Sequence, residues 1–146
     1  MTRLCRVGYH FFTPCSWYGR LVSLTGISPI SHVVISFDVD CLDTYVYECG
    51  WGATSTWRAW SGGPIVPYDS LYEDMELVLD DIDKVLPSGV PYSAPKVTAY
   101  GLLGLYRETL SCVTSVHRIR KLSGQETKGR TPGGIYKYLK KRLHNQ

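Results

Sequence analysis

The hydrophobic pattern of this chain changes period several times, and the changes divide it into elements. Thr13-Pro14 opens a helix. Threonine accepts a hydrogen bond from a free backbone N–H as N-cap, and proline suits the first helical position, where an N–H would go unpaired. Trp17, Leu21 and Leu24, with Tyr18 and Val22 beside them, form one apolar face, and Gly26 is a natural stop. Ile30-Ser31-His32-Val33-Val34-Ile35-Ser36-Phe37 is a β-branched run that reads as a buried strand. Asp38-Val39-Asp40-Cys41-Leu42-Asp43 turns the chain, and Thr44-Tyr45-Val46-Tyr47-Glu48-Cys49 reads as an antiparallel return strand. Residues 50–67, rich in Gly and Pro and carrying Trp51, Trp57 and Trp60, read as a long loop with one short strand at Ile65-Val66. The pattern assigns no element to residues 1–12.

Ser70-x-x-Glu73 matches a capping box, and Leu71, Met75, Val78, Leu79, Ile82 and Val85 follow at helical spacing, so a second helix is expected from Ser70 to just before Pro87. Residues 87–95 hold three prolines and a glycine and read as loop. Residues 96–106 are compatible with a helix that Gly101 and Gly104 weaken. Ser111-Cys112-Val113-Thr114-Ser115-Val116 begins a helix whose apolar face is Val113, Val116 and Ile119, with Lys121 near its end and Gly124 as the stop. After a polar loop, Thr131-Pro132 repeats the cap-plus-proline signal, and Ile135, Tyr138 and Leu139 mark a final helix. There is no internal repeat.

Composition sets the frame. A chain of 146 residues, 44% hydrophobic and 20% charged, fits one globular mixed α and β domain spanning 1–146. The start has two arginines but no apolar run, so it fails as a signal peptide, and no stretch is long and apolar enough to cross a bilayer. A cytoplasmic location is therefore expected. Five cysteines without C-x-x-C spacing then read as reduced thiols and not as a zinc site. The net charge of +3 is too small to announce nucleic-acid binding, although residues 69–84 are acidic and the segment from Arg107 onward is basic. The basic segment 118–142, with Tyr136 and Tyr138 for stacking, keeps nucleic acid as a minor alternative.

The candidate chemistry is a thiol centre. A nucleophilic cysteine needs stabilisation of its thiolate, a base close by and a group that orients the base. Cys112 falls in the first turn of its helix, where unpaired N–H groups and the positive end of the helix dipole favour thiolate. His32, at the start of a strand, titrates near neutral pH. If the hairpin turns around Cys41, residues near 48–50 come opposite His32, and Glu48 can accept a hydrogen bond from one ring nitrogen while the other faces the thiol. His117, five residues after Cys112, lies about 140° round the helix and points away from it. Taken singly, each residue has a plain structural reading: a buried inert cysteine, a histidine bonded to backbone and a solvated glutamate.

The strand Ser31-His32-Val33-Val34-Ile35, the return strand Tyr47-Glu48-Cys49, the helix start Ser111-Cys112-Val113-Thr114-Ser115-Val116 and the closing Thr131-Pro132-Gly133-Gly134-Ile135-Tyr136 resemble the circularly permuted NlpC/P60 proteins. These are papain-like thiol enzymes in which the histidine strand precedes the cysteine helix. The similarity covers roughly residues 13–49 and 111–139. It implies an α+β fold with an antiparallel sheet against the cysteine helix, Cys112 as nucleophile, His32 as base and Glu48 as third residue. It also implies cleavage or transfer at an amide or ester bond of a peptide-like or acyl substrate, with no metal or organic cofactor. Trp17, Tyr18, Trp51 and Trp57 are candidate cleft walls. The small size and the Tyr- and Trp-rich loops suit a phage product. The alternative is a catalytically silent binding module on the same fold, for example a viral protein acting on a host factor in the host-cell cytoplasm. The oligomeric state is not legible.

Overall fold

A computed structural model describes residues 2–14, 17–25, 28–39, 45–49, 54–59 and 67–144 of the chain. It has an α+β fold in the element order β1 (Thr2–Phe12), α1 (Trp17–Thr25), β2 (His32–Val39), β3 (Tyr45–Glu48), β4 (Thr56–Ala59), β5 (Asp69–Val78), α2 (Leu79–Val85), α3 (Ala94–Leu103), α4 (Cys112–Leu122) and α5 (Pro132–His144). The five strands form one sheet in the order β4-β3-β2-β1-β5, antiparallel at every junction.

The N-terminal segment, for which the pattern suggested no element, is the long strand β1, paired on both sides. Its period is two: Cys5, Val7, Tyr9 and Phe11 are fully buried on one face. Val33, Ile35 and Phe37 of β2, Tyr47 of β3, and Leu71, Met75 and Leu77 of β5 continue that face. Helices cover it, with α4 against β2 and α5 against β5. Val113, Val116 and Ile119 of α4 and Ile135 and Leu139 of α5 complete the core. Tyr136 fixes α5 to the sheet by donating its hydroxyl to Asp69 Oδ2 at 2.7 Å.

The helix expected over residues 70–85 is corrected. Residues 69–78 are strand β5, and only Leu79–Val85 is helical. Leu71, Met75 and Leu77 are buried and alternate with outward Tyr72, Asp74 and Glu76, a period of two. Glu73 does not cap a helix. It receives Arg120 Nε at 3.0 Å and the Tyr9 hydroxyl at 2.9 Å. Within the loop expected over 50–67, residues Thr56–Ala59 form β4, an edge strand paired with β3. The strand expected at Ile65-Val66 lies outside the described residues. The doubtful helix at 96–106 exists as α3 and ends at Gly104, whose φ of 73° supplies the left-handed cap that glycine adopts without penalty. The Thr131-Pro132 signal holds: Thr131 Oγ1 accepts from the Gly134 N–H at 3.0 Å as α5 begins.

Candidate active site

Three elements deliver the thiol centre. His32 is the first residue of β2 and Glu48 the last of β3, so in an antiparallel pair both stand at the same end of the sheet. Tyr47 pairs with Ile35, which puts Glu48 beside Val34 and diagonal to His32. Cys112 is the first residue of α4.

The start of α4 is tightly specified. Ser111 is the N-cap, in extended conformation, and its Oγ accepts from the Thr114 N–H at 3.1 Å. Thr114 Oγ1 returns the bond, accepting from the Ser111 N–H at 2.8 Å, and donates its own hydrogen to the Thr109 carbonyl at 2.7 Å. Two of the four N–H groups that a helix start leaves without carbonyl partners are thereby satisfied by side chains. The other two belong to Cys112 and Val113.

His32 Nε2 lies 3.3 Å from Glu48 Oε1, and the Cys112 thiol stands close enough to the ring to influence its titration. Burial alone would push the imidazole down. The hydrogen-bond and electrostatic effects of Cys112 and Glu48 outweigh burial and raise it from 6.5 to about 10. Glu48 is held down to about 2: its bond to His32 acts against burial, and the guanidinium of Arg58 adds to it. Arg58, on β4, donates Nη2 to Glu48 Oε2 at 2.9 Å. The carboxylate is thus gripped at both oxygens, which fixes its direction toward His32.

Cys112 differs from its neighbours. Cys5, Cys49 and Cys112 are all buried. Cys5 is fully buried and leans on the Arg3 carbonyl. Cys49, one residue past Glu48, is pushed up to about 12, chiefly by burial. Among these three, only Cys112 combines a helix N-terminus with an imidazole partner. Among the described residues there is no group of three or more His, Cys, Asp and Glu side chains able to hold a metal ion.

The sequence brought Cys112, His32 and Glu48 to notice; His32 and Glu48 are in contact, and Cys112 is near enough to raise the titration of the ring. Sequence reasoning missed Arg58, which is invisible without β4. Trp57, expected as a cleft wall, packs partly buried between β3 and the segment after α2. Its ring centroid is 5.0 Å from that of Tyr47 and 5.3 Å from that of Phe37, and its Nε1 donates to the Leu86 carbonyl at 3.0 Å. Trp51 lies outside the described residues, as do the side chains of Trp17 and Tyr18. His117 turns away from the thiol as the helical angle required, its Nε2 donating to the Gly129 carbonyl at 2.7 Å. Comparison of the chain with protein-family models, with curated proteins and with solved structures finds no match to any of them.

Proposed function

We propose that this protein is a papain-like cysteine hydrolase or acyltransferase of the permuted NlpC/P60 kind, acting on an amide or ester bond through Cys112, His32 and Glu48. The single observation that carries the reading is the 3.3 Å contact of His32 Nε2 with Glu48 Oε1 on an imidazole whose titration the neighbouring Cys112 also raises. Strand-before-helix order and an antiparallel sheet under the cysteine helix support it as well.

In this reading His32 takes up the thiol proton as the Cys112 sulfur attacks the carbonyl carbon. The sulfur–carbon bond forms, and the carbonyl electrons move to oxygen. The N–H groups of Cys112 and Val113 face that oxyanion at the positive end of α4. His32 then gives its proton to the leaving nitrogen or oxygen as the carbon–leaving-group bond breaks, which produces a thioester. Water, or an acceptor nucleophile in a transferase, loses a proton to His32 as it attacks, and the thiolate departs. Glu48, held by Arg58, keeps the ring aligned throughout.

The test is to incubate the protein with a p-nitrophenyl acyl ester and follow the Cys112 peptide by mass spectrometry. An acyl increment on Cys112 that forms and then decays, and that is absent in Cys112→Ala, supports the reading. No increment on Cys112, or one that never turns over, counts against it.

A second reading is favoured by one observation, the 9% exposure of Cys112, which leaves little sulfur for a substrate to reach. On that reading the chain is a catalytically silent binding module. Biological activity that survives Cys112→Ala selects it.

A further inference from the structure

Among the apolar side chains that the described residues leave exposed, one group is close together in the chain. Leu102, Leu103, Leu105 and Tyr106 fall at the end of α3 and in the turn beyond it, each more than half exposed, with Leu103 at 69%. Single exposed leucines are normal, whereas four within five residues form a patch that a water-facing surface does not need. The turn holds Tyr106 at a φ of 54°, a left-handed conformation that a bulky aromatic residue adopts only under constraint.

Cations surround the patch. Lys96 Nζ sits 6.0 Å from the centre of the Tyr106 ring, and Arg107 follows Tyr106 directly. Arg130 Nη1 lies 2.6 Å from where a side chain at Gly104 would begin, so its guanidinium rests on the end of α3. The acidic residues of segment 94–110 reduce to Glu108. Helix α1, which packs beside α3, contains no acidic residue and adds exposed Arg20, Leu21 and Leu24.

We infer that the end of α3 is a membrane-docking surface that seats Leu102, Leu103, Leu105 and Tyr106 at the interface of an anionic bilayer, with Lys96, Arg107 and Arg130 on the headgroups. An apolar tip rimmed by cations is complementary to an interface that is hydrocarbon below and negatively charged above. A tyrosine belongs at that depth, ring in the acyl boundary and hydroxyl in the headgroups. A folded protein partner fits less well, because a stable interface takes about 20–30 residues a side, many more than this tip presents. No helix among the described residues is long and apolar enough to cross a membrane, so attachment is peripheral. The inference stands apart from the thiol chemistry, since none of its residues belongs to that site.

The test is co-sedimentation of the full chain with vesicles of phosphatidylglycerol and phosphatidylcholine, or of phosphatidylcholine alone, at low and high salt. The expected result is binding to the anionic vesicles that falls at least tenfold at high salt or in a Leu102→Ser, Leu103→Ser, Leu105→Ser, Tyr106→Ser variant. A Lys96→Gln, Arg107→Gln, Arg130→Gln variant is expected to bind more weakly and to lose most of the salt dependence. These side chains face solvent, and an unchanged circular dichroism spectrum with unchanged Cys112 alkylation certifies each variant as folded. Absence of binding to anionic vesicles overturns the inference, as does binding that neither variant alters. A concentration-dependent dimer abolished by the serine variant also overturns it, by assigning the patch to a second copy of the chain.

Discussion

Glu73 of β5 and Arg120 of α4 form an ion pair in the interior, with Arg120 Nε 3.0 Å from Glu73 Oε1 and side chains only 8% and 2% exposed. Arg120 Nη2 reaches Oε2 at 3.3 Å, and Nη1 donates to the Glu126 carbonyl and to Thr127 Oγ1. The pair ties the sheet to the helix that bears the candidate nucleophile. Removing one member of such a pair strands a buried charge, at a cost of about 3–5 kcal/mol. Glu73→Ala is therefore expected to lower the urea midpoint severely. Glu73→Met with Arg120→Met, which leaves no charge behind, is expected to recover most of the loss. Equal destabilisation by the single and double variants would contradict the assignment.

Gly8 is where β1 leaves room for a polar cluster on the other face of the sheet. His10, 5% exposed, lies between Ser70 Oγ at 2.9 Å from Nδ1 and Ser36 Oγ at 2.8 Å from Nε2. A methyl group at Gly8 would collide with Ser36 Oγ and stand 2.9 Å from both His10 Nε2 and Tyr72 Cε1. Gly8→Ala is expected to destabilise by about 1–3 kcal/mol through overpacking, read from denaturant melts. A neutral or stabilising effect would mean that the cluster yields easily.

The start of α4 carries a separable contribution. Ser111→Ala removes the cap and leaves the Thr114 N–H without its acceptor, for an expected loss of about 1–2 kcal/mol. It also loosens the turn that presents Cys112. Alkylation of Cys112 is expected to slow in this variant, whereas Ser123→Ala, at the other end of the helix, leaves the rate unchanged.

Histidines divide by sign. Burial lowers His10, so the unfolded chain binds more protons than the folded one between that lowered value and 6.5. Its stabilisation is complete above 6.5 and fades as pH falls through that interval. His117, also lowered first by burial, acts the same way. His32 is raised to about 10, so its stabilisation is complete below 6.5 and fades as pH rises toward about 10. Chemical denaturation across pH is expected to show both arms. His10→Asn should reduce the acid arm and His32→Gln the alkaline arm. A wild-type imidazole signal for His32 that titrates near 6.5 in NMR would refute the second part.

How far the sequence led depends on where the physics was local. The α4 start was legible because a cap, an apolar face and a terminator all lie within a dozen residues. The β2–β3 hairpin was legible because its β-branched run and its register need only the turn between them. Strand β5 was not, because Leu71, Met75, Val78 and Ile82 satisfy a helical period while Leu71, Met75 and Leu77 satisfy a strand period. The choice is made by β1 alongside and by Arg120, which takes Glu73 away from any capping role. Strand β1 has a visible alternation of Cys5, Val7, Tyr9 and Phe11, obscured by Leu4 and Phe12 out of phase. Arg58 becomes significant only once β4 pairs with β3, and no pattern within Thr56–Ala59 announces that pairing.

The most direct test of the thiol centre is the rate at which a trace of iodoacetamide labels each cysteine near pH 6, read by peptide mass spectrometry. Cys112 is expected to label well ahead of Cys5 and Cys49, and to lose that lead in His32→Ala. Labelling of Cys112 no faster than Cys5, or a lead that persists without the imidazole, would contradict the account.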